Sequence, residues 1–249
     1  MRILATYNIK GGVGKTAAAC NLAYLAAREG LSTLVWDLDP QGAASYYFRI
    51  RARIPGGTKG LLKGRRALDE VVKGTDFEHL DLIPADFSYR NLDLALADAK
   101  KPVRQLLKLL RPLSEEYEVL ILDCPPSISL VSENVFYAAD ALLVPLIPTT
   151  LSVRTWDQLQ GHLDKQRLGG IALLPFFSMV DRRKRMHLET MATLRAREPR
   201  VLRHEIPYAS VVETMGTRRA PVGAFAPRSP AWAAYEGLWQ EVRAGLDQA

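Results

Sequence analysis

The chain has 249 residues, 48% hydrophobic and 24% charged, with a formal net charge of +6. That size and balance suit one α/β domain spanning 1–249 with a sizeable core. No apolar run approaches the ~18 residues needed to cross a bilayer. The two cysteines, Cys20 and Cys124, are far apart and form no metal-ligand or disulfide pattern.

The first strand, Arg2–Tyr7, begins at once, so a leader peptide is not expected and residence is read as cytoplasmic. Directly after it stands Lys10-Gly11-Gly12-Val13-Gly14-Lys15-Thr16. This is a phosphate-binding loop of deviant form, with Ile9 where G-x-x-x-x-G-K-[ST] has its first glycine. Gly11, Gly12 and Gly14 let the backbone curl so that N–H groups converge on phosphate oxygens. A helix over Lys15–Glu29, stopped by Gly30, points its positive end at the same place.

The second strand, Thr33–Asp37, runs into Leu38-Asp39-Pro40-Gln41-Gly42, and Ile54–Lys63, rich in glycine, reads as a mobile loop. Strands follow at Leu80–Pro84, Val119–Asp123, Ala141–Leu146, Ile171–Phe177 and Val201–Ile206. Helical spacing falls at Tyr89–Ala99, Val103–Leu110, Leu130–Ala138, Val153–Leu168 and Met186–Arg197. Alternation of this kind predicts a doubly wound, mostly parallel sheet with helices on both faces. The last helix, Pro230–Asp247, carries Trp232, Tyr235, Trp239, Val242 and Leu246 along one face. Its other face bears Glu236, Glu241, Arg243 and Asp247, which favours docking on the core over lying in a membrane surface.

In such a sheet, ligands sit beyond the carboxyl ends of the strands. Lys15 is placed to reach β- and γ-phosphates, and the Thr16 hydroxyl to ligate Mg²⁺. Asp37 and Asp123 each end an apolar strand, the position for holding a metal-bound water beside Thr16. Asp39 is suited to orient the attacking water, although an aspartate before Pro40 also reads as a turn initiator. Lys10 is surplus to the ordinary phosphate nest.

The segments KGGVGKT, DLDPQG and ILDCPPS, in this order and spacing, resemble the ParA/MinD family of deviant Walker-A ATPases. The likeness extends through Asp140–Pro145 and Ile206-Pro207, over nearly the whole chain. It implies ATP and Mg²⁺ as cofactors and a nucleotide-binding set of Gly11, Gly12, Val13, Gly14, Lys15, Thr16 and Ala17, with Pro207 near the adenine. It implies that Lys10 contacts nucleotide in the other subunit of an ATP-bound homodimer, that Asp39 activates water, and that Asp123 is linked to Mg²⁺. Catalysis thus falls to Lys10, Lys15 and Asp39, and metal binding to Thr16, Asp37 and Asp123. Ala17 departs from the family, where a second threonine is common, and so does Ala43-Ala44-Ser45 after Gly42.

Between residues 182 and 228 stand eleven Lys/Arg and four glutamates. The excess of seven, against +6 overall, places the basicity in that segment and predicts a polyanion partner there. Arg182, Arg183, Lys184, Arg185, Arg218 and Arg219 are the candidate DNA contacts. The resemblance adds non-specific DNA binding by the ATP dimer on the nucleoid and a stimulating adaptor, ParB-like or cargo-linked. The leading expectation is an ATPase switch that positions plasmid, chromosome or protein cargo; a MinD-like membrane-associated regulator is the alternative. A metal-cluster carrier lacks its C-x-x-C pair, and a tyrosine kinase its terminal tyrosine cluster.

Overall fold

A computed structural model describes residues 1–65, 67–166, 168 and 170–247, with the side chains of residues 59 and 247 outside the described set. The strands are β1 (Arg2–Thr6), β2 (Thr33–Asp37), β3 (Lys73–Gly74), β4 (Leu80–Ile83), β5 (Val119–Asp123), β6 (Ala141–Leu146) and β7 (Ala172–Phe177). They form one sheet in the order β3-β4-β2-β5-β1-β6-β7. All neighbours are parallel except the short edge strand β3, which pairs antiparallel with β4.

The helices are α1 (Lys15–Arg28), α2 (Ala43–Tyr47), α3 (Gly57–Leu62), α4 (Leu92–Ala97), α5 (Gln105–Leu110) and α6 (Leu130–Ala138). After these come α7 (Thr150–Lys165), α8 (Arg185–Arg197), α9 (Ser210–Glu213), α10 (Met215–Arg218), α11 (Val222–Phe225) and α12 (Pro230–Asp247). Two cores sandwich the sheet. Ile3, Leu34, Trp36, Leu120, Leu122 and Leu142 point into one, and Leu4, Val35, Ile121 and Leu143 into the other. Both faces being covered, the strands read as continuous apolar runs rather than alternating ones. Helices α4 to α8 cover the first core, with Leu96, Leu106, Phe136, Trp156 and Leu194. Helices α1 and α12 cover the second, with Leu22, Trp232 and Trp239.

Docking of α12 is as expected: Trp232, Tyr235, Trp239, Val242 and Leu246 are all buried. Its polar face is also engaged. Arg243 pairs with Glu29 at 2.6 Å, and Glu241 accepts the N–H groups of Arg203 (2.7 Å) and His204 (2.8 Å). The side chain of Asp247 lies outside the described residues.

Glu241 also explains a correction. Residues 201–206 form no strand, despite their apolar pattern. Leu202 donates to Pro175 O and Ile206 to Phe177 O, so four residues span what two would span in a parallel ladder. The intervening residues bulge out, and the α12 carboxylate takes their N–H groups. A second correction concerns 54–63, read as a mobile loop. It contains α3 and is pinned by Ile54 N–H to Asp86 (2.7 Å) and Thr58 N–H to Ser88 Oγ (2.9 Å). Those partners are about thirty residues away, so no local signal announces them.

Candidate nucleotide and metal site

The phosphate loop leaves β1 and enters α1 at the carboxyl edge of the sheet. Asn8, buried and not singled out from the sequence, sets its start. Its amide donates to Pro145 O at 2.8 Å, and its carbonyl accepts the Lys10 N–H at 2.9 Å. Gly12 and Gly14 adopt φ of 69° and 93°, the left-handed region that glycine enters freely. A side chain at Gly14 would begin 2.8 Å from Ser178 Oγ, which ties the loop to the end of β7. Gly11 packs beside Pro126, Val13 is buried, and the Ala17 carbonyl accepts from Asn21 at 2.8 Å.

No side chain caps α1, so its first-turn N–H groups are left to the loop's hollow. Lys15 is buried, and its Nζ donates to the Lys10 carbonyl at 3.2 Å. Burial lowers its pKa, opposed first by the charge of Asp123. Among the described residues, the Lys10 side chain has no hydrogen bond or ion pair.

Asp37 and Asp123 sit opposite each other in register at the ends of β2 and β5. Asp123 Oδ1 accepts from Thr6 Oγ1 at 3.3 Å, and the nearby Thr16 hydroxyl lowers its pKa against burial. Asp37 Oδ2 accepts both the N–H and the hydroxyl of Ser45 at 2.7 Å. The other oxygen of each, Asp37 Oδ1 and Asp123 Oδ2, is buried without a hydrogen-bond partner among the described residues. Burial pushes both carboxyls well above the ordinary carboxylate range; for Asp123 the neighbouring Asp37 charge adds to this. Two facing, half-satisfied carboxylates beside a threonine hydroxyl make a donor set suited to a hard divalent cation and its waters.

Asp39 stands at the rim. Its Oδ1 accepts the Gln41 N–H at 2.9 Å, and its carbonyl accepts that of Gly42. The turn-initiating role is therefore real, and the second carboxylate oxygen is left to other partners. Gly42 then starts α2, whose Ser45 is the residue held by Asp37. The sequence marks Ser45 only as a departure from the family, yet its hydroxyl also receives the Ala85 N–H at 2.9 Å. Pro207 pairs with Val180, two residues beyond Ser178, so its segment reaches the rim from the β7 side.

The basic residues are not gathered as the sequence predicted. Arg182 pairs with Glu205 (3.0 Å), Arg183 with Asp181 (2.9 Å) and Arg185 with Glu189 (2.6 Å). Arg195, Arg197 and Arg200 are likewise paired, with Glu205, Asp157 and Glu198. Arg218 and Arg219 lie instead against α2, the Arg219 guanidinium 4.6 Å from the Tyr46 ring centroid and bonded to the Tyr46 carbonyl. The basicity is not confined to residues 182–228 either. Residues 40–68 contain seven Lys/Arg and no Asp/Glu, a surplus hidden when the rest of the chain is averaged.

A family model described as "AAA domain" matches residues 1–168. The Thermus thermophilus chromosome-partitioning ATPase Soj is 32% identical over 258 residues, covering 100% of this chain and 98% of that one. The chain belongs to the ParA/Soj family of P-loop ATPases. The Myxococcus xanthus chromosome partitioning protein ParA is 35% identical over 169 residues, and the match spans 60% of its length. Among solved structures, Cyanothece McdA in complex with ATP superposes with a TM-score of 0.84 at 21% identity, covering 98% of this chain and 96% of that one. Mycobacterium smegmatis cobyrinic acid a,c-diamide synthase with ADP and magnesium superposes at 0.83 and 23%, covering 99% and 96%. These likenesses establish the doubly wound P-loop fold.

Proposed function

We propose that this protein is a Mg²⁺-dependent ATP hydrolase that dimerises on ATP and uses the cycle to position cargo through non-specific DNA. The observation that carries the hydrolytic half is the facing pair Asp37 and Asp123, each with a buried oxygen left over beside Thr16 and Lys15. The residues fit a Mg²⁺-nucleotide, and Thr16, Asp37 and Asp123 would hold the ion directly or through its waters. Bound there, Mg²⁺ would supply neutralisation of the phosphate charge.

The chain's own residues do the rest. Gly11 to Gly14 and the α1 terminus offer backbone N–H groups to the phosphates, while Lys15 places its ammonium among them. Thr6 and Ser45 hold the two carboxylates in fixed rotamers. Asp39 uses one oxygen to brace its turn and has the other to orient the attacking water. Lys10, whose side chain is unengaged among the described residues, stands at the loop's front edge as the group to reach a partner subunit's nucleotide. Pro207 borders the base.

Relatives named as chromosome-partitioning proteins support a partitioning role; in this reading a stimulating adaptor recognises the ATP dimer. The burial of the α12 apolar face argues against its use as a membrane anchor. The test is ATPase turnover with and without duplex DNA, together with sedimentation in ATP and ADP. DNA binding that is equal in ATP and ADP, or a protein monomeric in both, would refute the switch.

A further inference from the structure

We infer that the DNA-binding surface of this protein is centred on the strap between α2 and α4, residues 49–65, joined to Arg218 and Arg219, and not on the 182–185 run. The inference rests on the DNA-binding reading proposed above and locates its site.

The strap is the most uniformly basic stretch of the chain, with seven Lys/Arg and no acid over residues 40–68. Arg51, Lys63 and Arg65 are exposed, and no carboxylate among the described residues pairs with them. Arg53 is exposed too, though it lies in the field of Asp86. By contrast, six of the eleven basic residues in 182–228 are already held by carboxylates. A guanidinium bonded to a carboxylate brings that negative charge to the DNA with it, so the pair offers a phosphate little net positive charge.

The strap is also anchored. At its start, Arg49 bonds Asp76 at 3.2 Å and the Arg218 carbonyl at 3.3 Å, bringing it against α10. Ala52 folds back over the loop that follows Asp39: its Cβ is 3.0 Å from where a side chain on Gly42 would begin. At the far side, Asp86 takes the Ile54 N–H, and Ser88 takes the Thr58 N–H. Arg219, stacked on Tyr46, adjoins the same helix α2. The cations therefore stand on a braced surface rather than a free tail.

That surface shares its footing with the nucleotide site. Helix α2 is fixed through Ser45 to Asp37, and Gly42 is the residue the strap covers. Any shift of the Asp39–Gly42 loop with nucleotide state moves the strap with it. Duplex DNA is favoured over a lipid surface, because α3 offers no apolar ridge to insert: Leu61 is buried and Leu62 packs on the core. Charge without an apolar face suits a phosphate backbone read without regard to sequence.

The test compares two triple variants, Arg51→Ala/Lys63→Ala/Arg65→Ala and Arg183→Ala/Lys184→Ala/Arg185→Ala, on random-sequence duplex DNA with ATP across a salt series. Fluorescent ATP binding and ATP-dependent dimer mass are measured on each to show that the switch itself is intact. The strap variant should bind DNA about tenfold or more weakly, with its log K against log[salt] slope shallower by about 2–3 per subunit. The 183–185 variant should stay within about threefold of the parent. Parent-like DNA binding by an intact strap variant, or the larger loss in the 183–185 variant, overturns the location while leaving DNA binding itself in place. A parent protein that fails to bind DNA in any nucleotide state overturns both readings. A strap variant that loses binding to phosphatidylglycerol vesicles in a parent that ignores DNA would assign the surface to lipid and also overturn the proposal.

Discussion

Asp37 and Asp123 meet in register on adjacent parallel strands, each with one oxygen hydrogen-bonded and one buried without a partner among the described residues. Burial raises the pKa of both, and the neighbouring Asp37 charge raises Asp123 further. The folded, metal-free pair therefore keeps protons that the unfolded chain releases near pH 4. Its favourable contribution is complete below that range and is lost as pH rises toward and through neutrality.

The metal-free protein should accordingly lose thermal stability as pH rises from 5 to 8, and Mg²⁺ with nucleotide should restore more of it at the higher pH. Scanning calorimetry with and without EDTA reads this directly. Asp123→Asn should flatten the dependence; an unchanged slope in that variant would assign the effect to other groups.

Lys10 and Lys15 sit five residues apart and should separate cleanly in function. Lys15→Ala should abolish nucleotide binding, since its ammonium is the buried cation of the loop. Lys10→Ala should bind ATP within a few-fold of the parent yet remain monomeric by light scattering. A Lys10→Ala protein that dimerises normally removes the trans role.

Asp39→Ala should reduce hydrolysis by about 10²-fold or more, the range for loss of a group that positions or deprotonates water. Nucleotide should still bind, and the ATP dimer should accumulate. Single-turnover phosphate release checks the rate. Because Asp39 also braces the Gln41 turn, Asp39→Asn, which keeps that bond, distinguishes the roles: it too should be slow.

Ser45 is a positioning residue for Asp37. Ser45→Ala strips a hydrogen bond from Asp37 and leaves the Ala85 N–H unpaired, at a cost of about 1–3 kcal/mol. Denaturant unfolding should show that loss, together with a raised Mg²⁺ requirement in the ATPase assay. Ser45→Thr should recover much of both.

Gly223 supports the docking of α12. A side chain there would begin 2.5 Å from the buried Trp232 ring, so Gly223→Ala should cost about 1–3 kcal/mol. At this chain length that is a Tm lower by roughly 2–12 °C. An unchanged Tm would mean that Trp232 repacks freely.

Most of the sheet was legible because its strands are buried on both faces: Leu120-Ile121-Leu122 can be little else between two helical patterns. The phosphate loop was equally plain, since its glycines, Lys15 and Thr16 are consecutive and each has a chemical reason to be there. Residues 201–206 misled because apolar spacing does not reveal a carboxylate, Glu241, that diverts two backbone N–H groups. Asn8 and Ser45 went unread for the same reason, as their partners Pro145 and Asp37 are neighbours only in the fold.

The linear order of residues settled the class of chemistry: a phosphate nest, two strand-end aspartates and a surplus lysine are local patterns. Which charges remain free was decided only in three dimensions. Some ion pairs form between residues distant in sequence, Arg197 with Asp157 and Arg182 with Glu205, and they add to the local pairs of Arg183 with Asp181 and Arg185 with Glu189. The strap at 49–65 keeps its charge because no acid is folded against Arg51, Lys63 or Arg65 among the described residues. Composition counts charges, whereas Coulomb energy depends on the distances that tertiary packing sets.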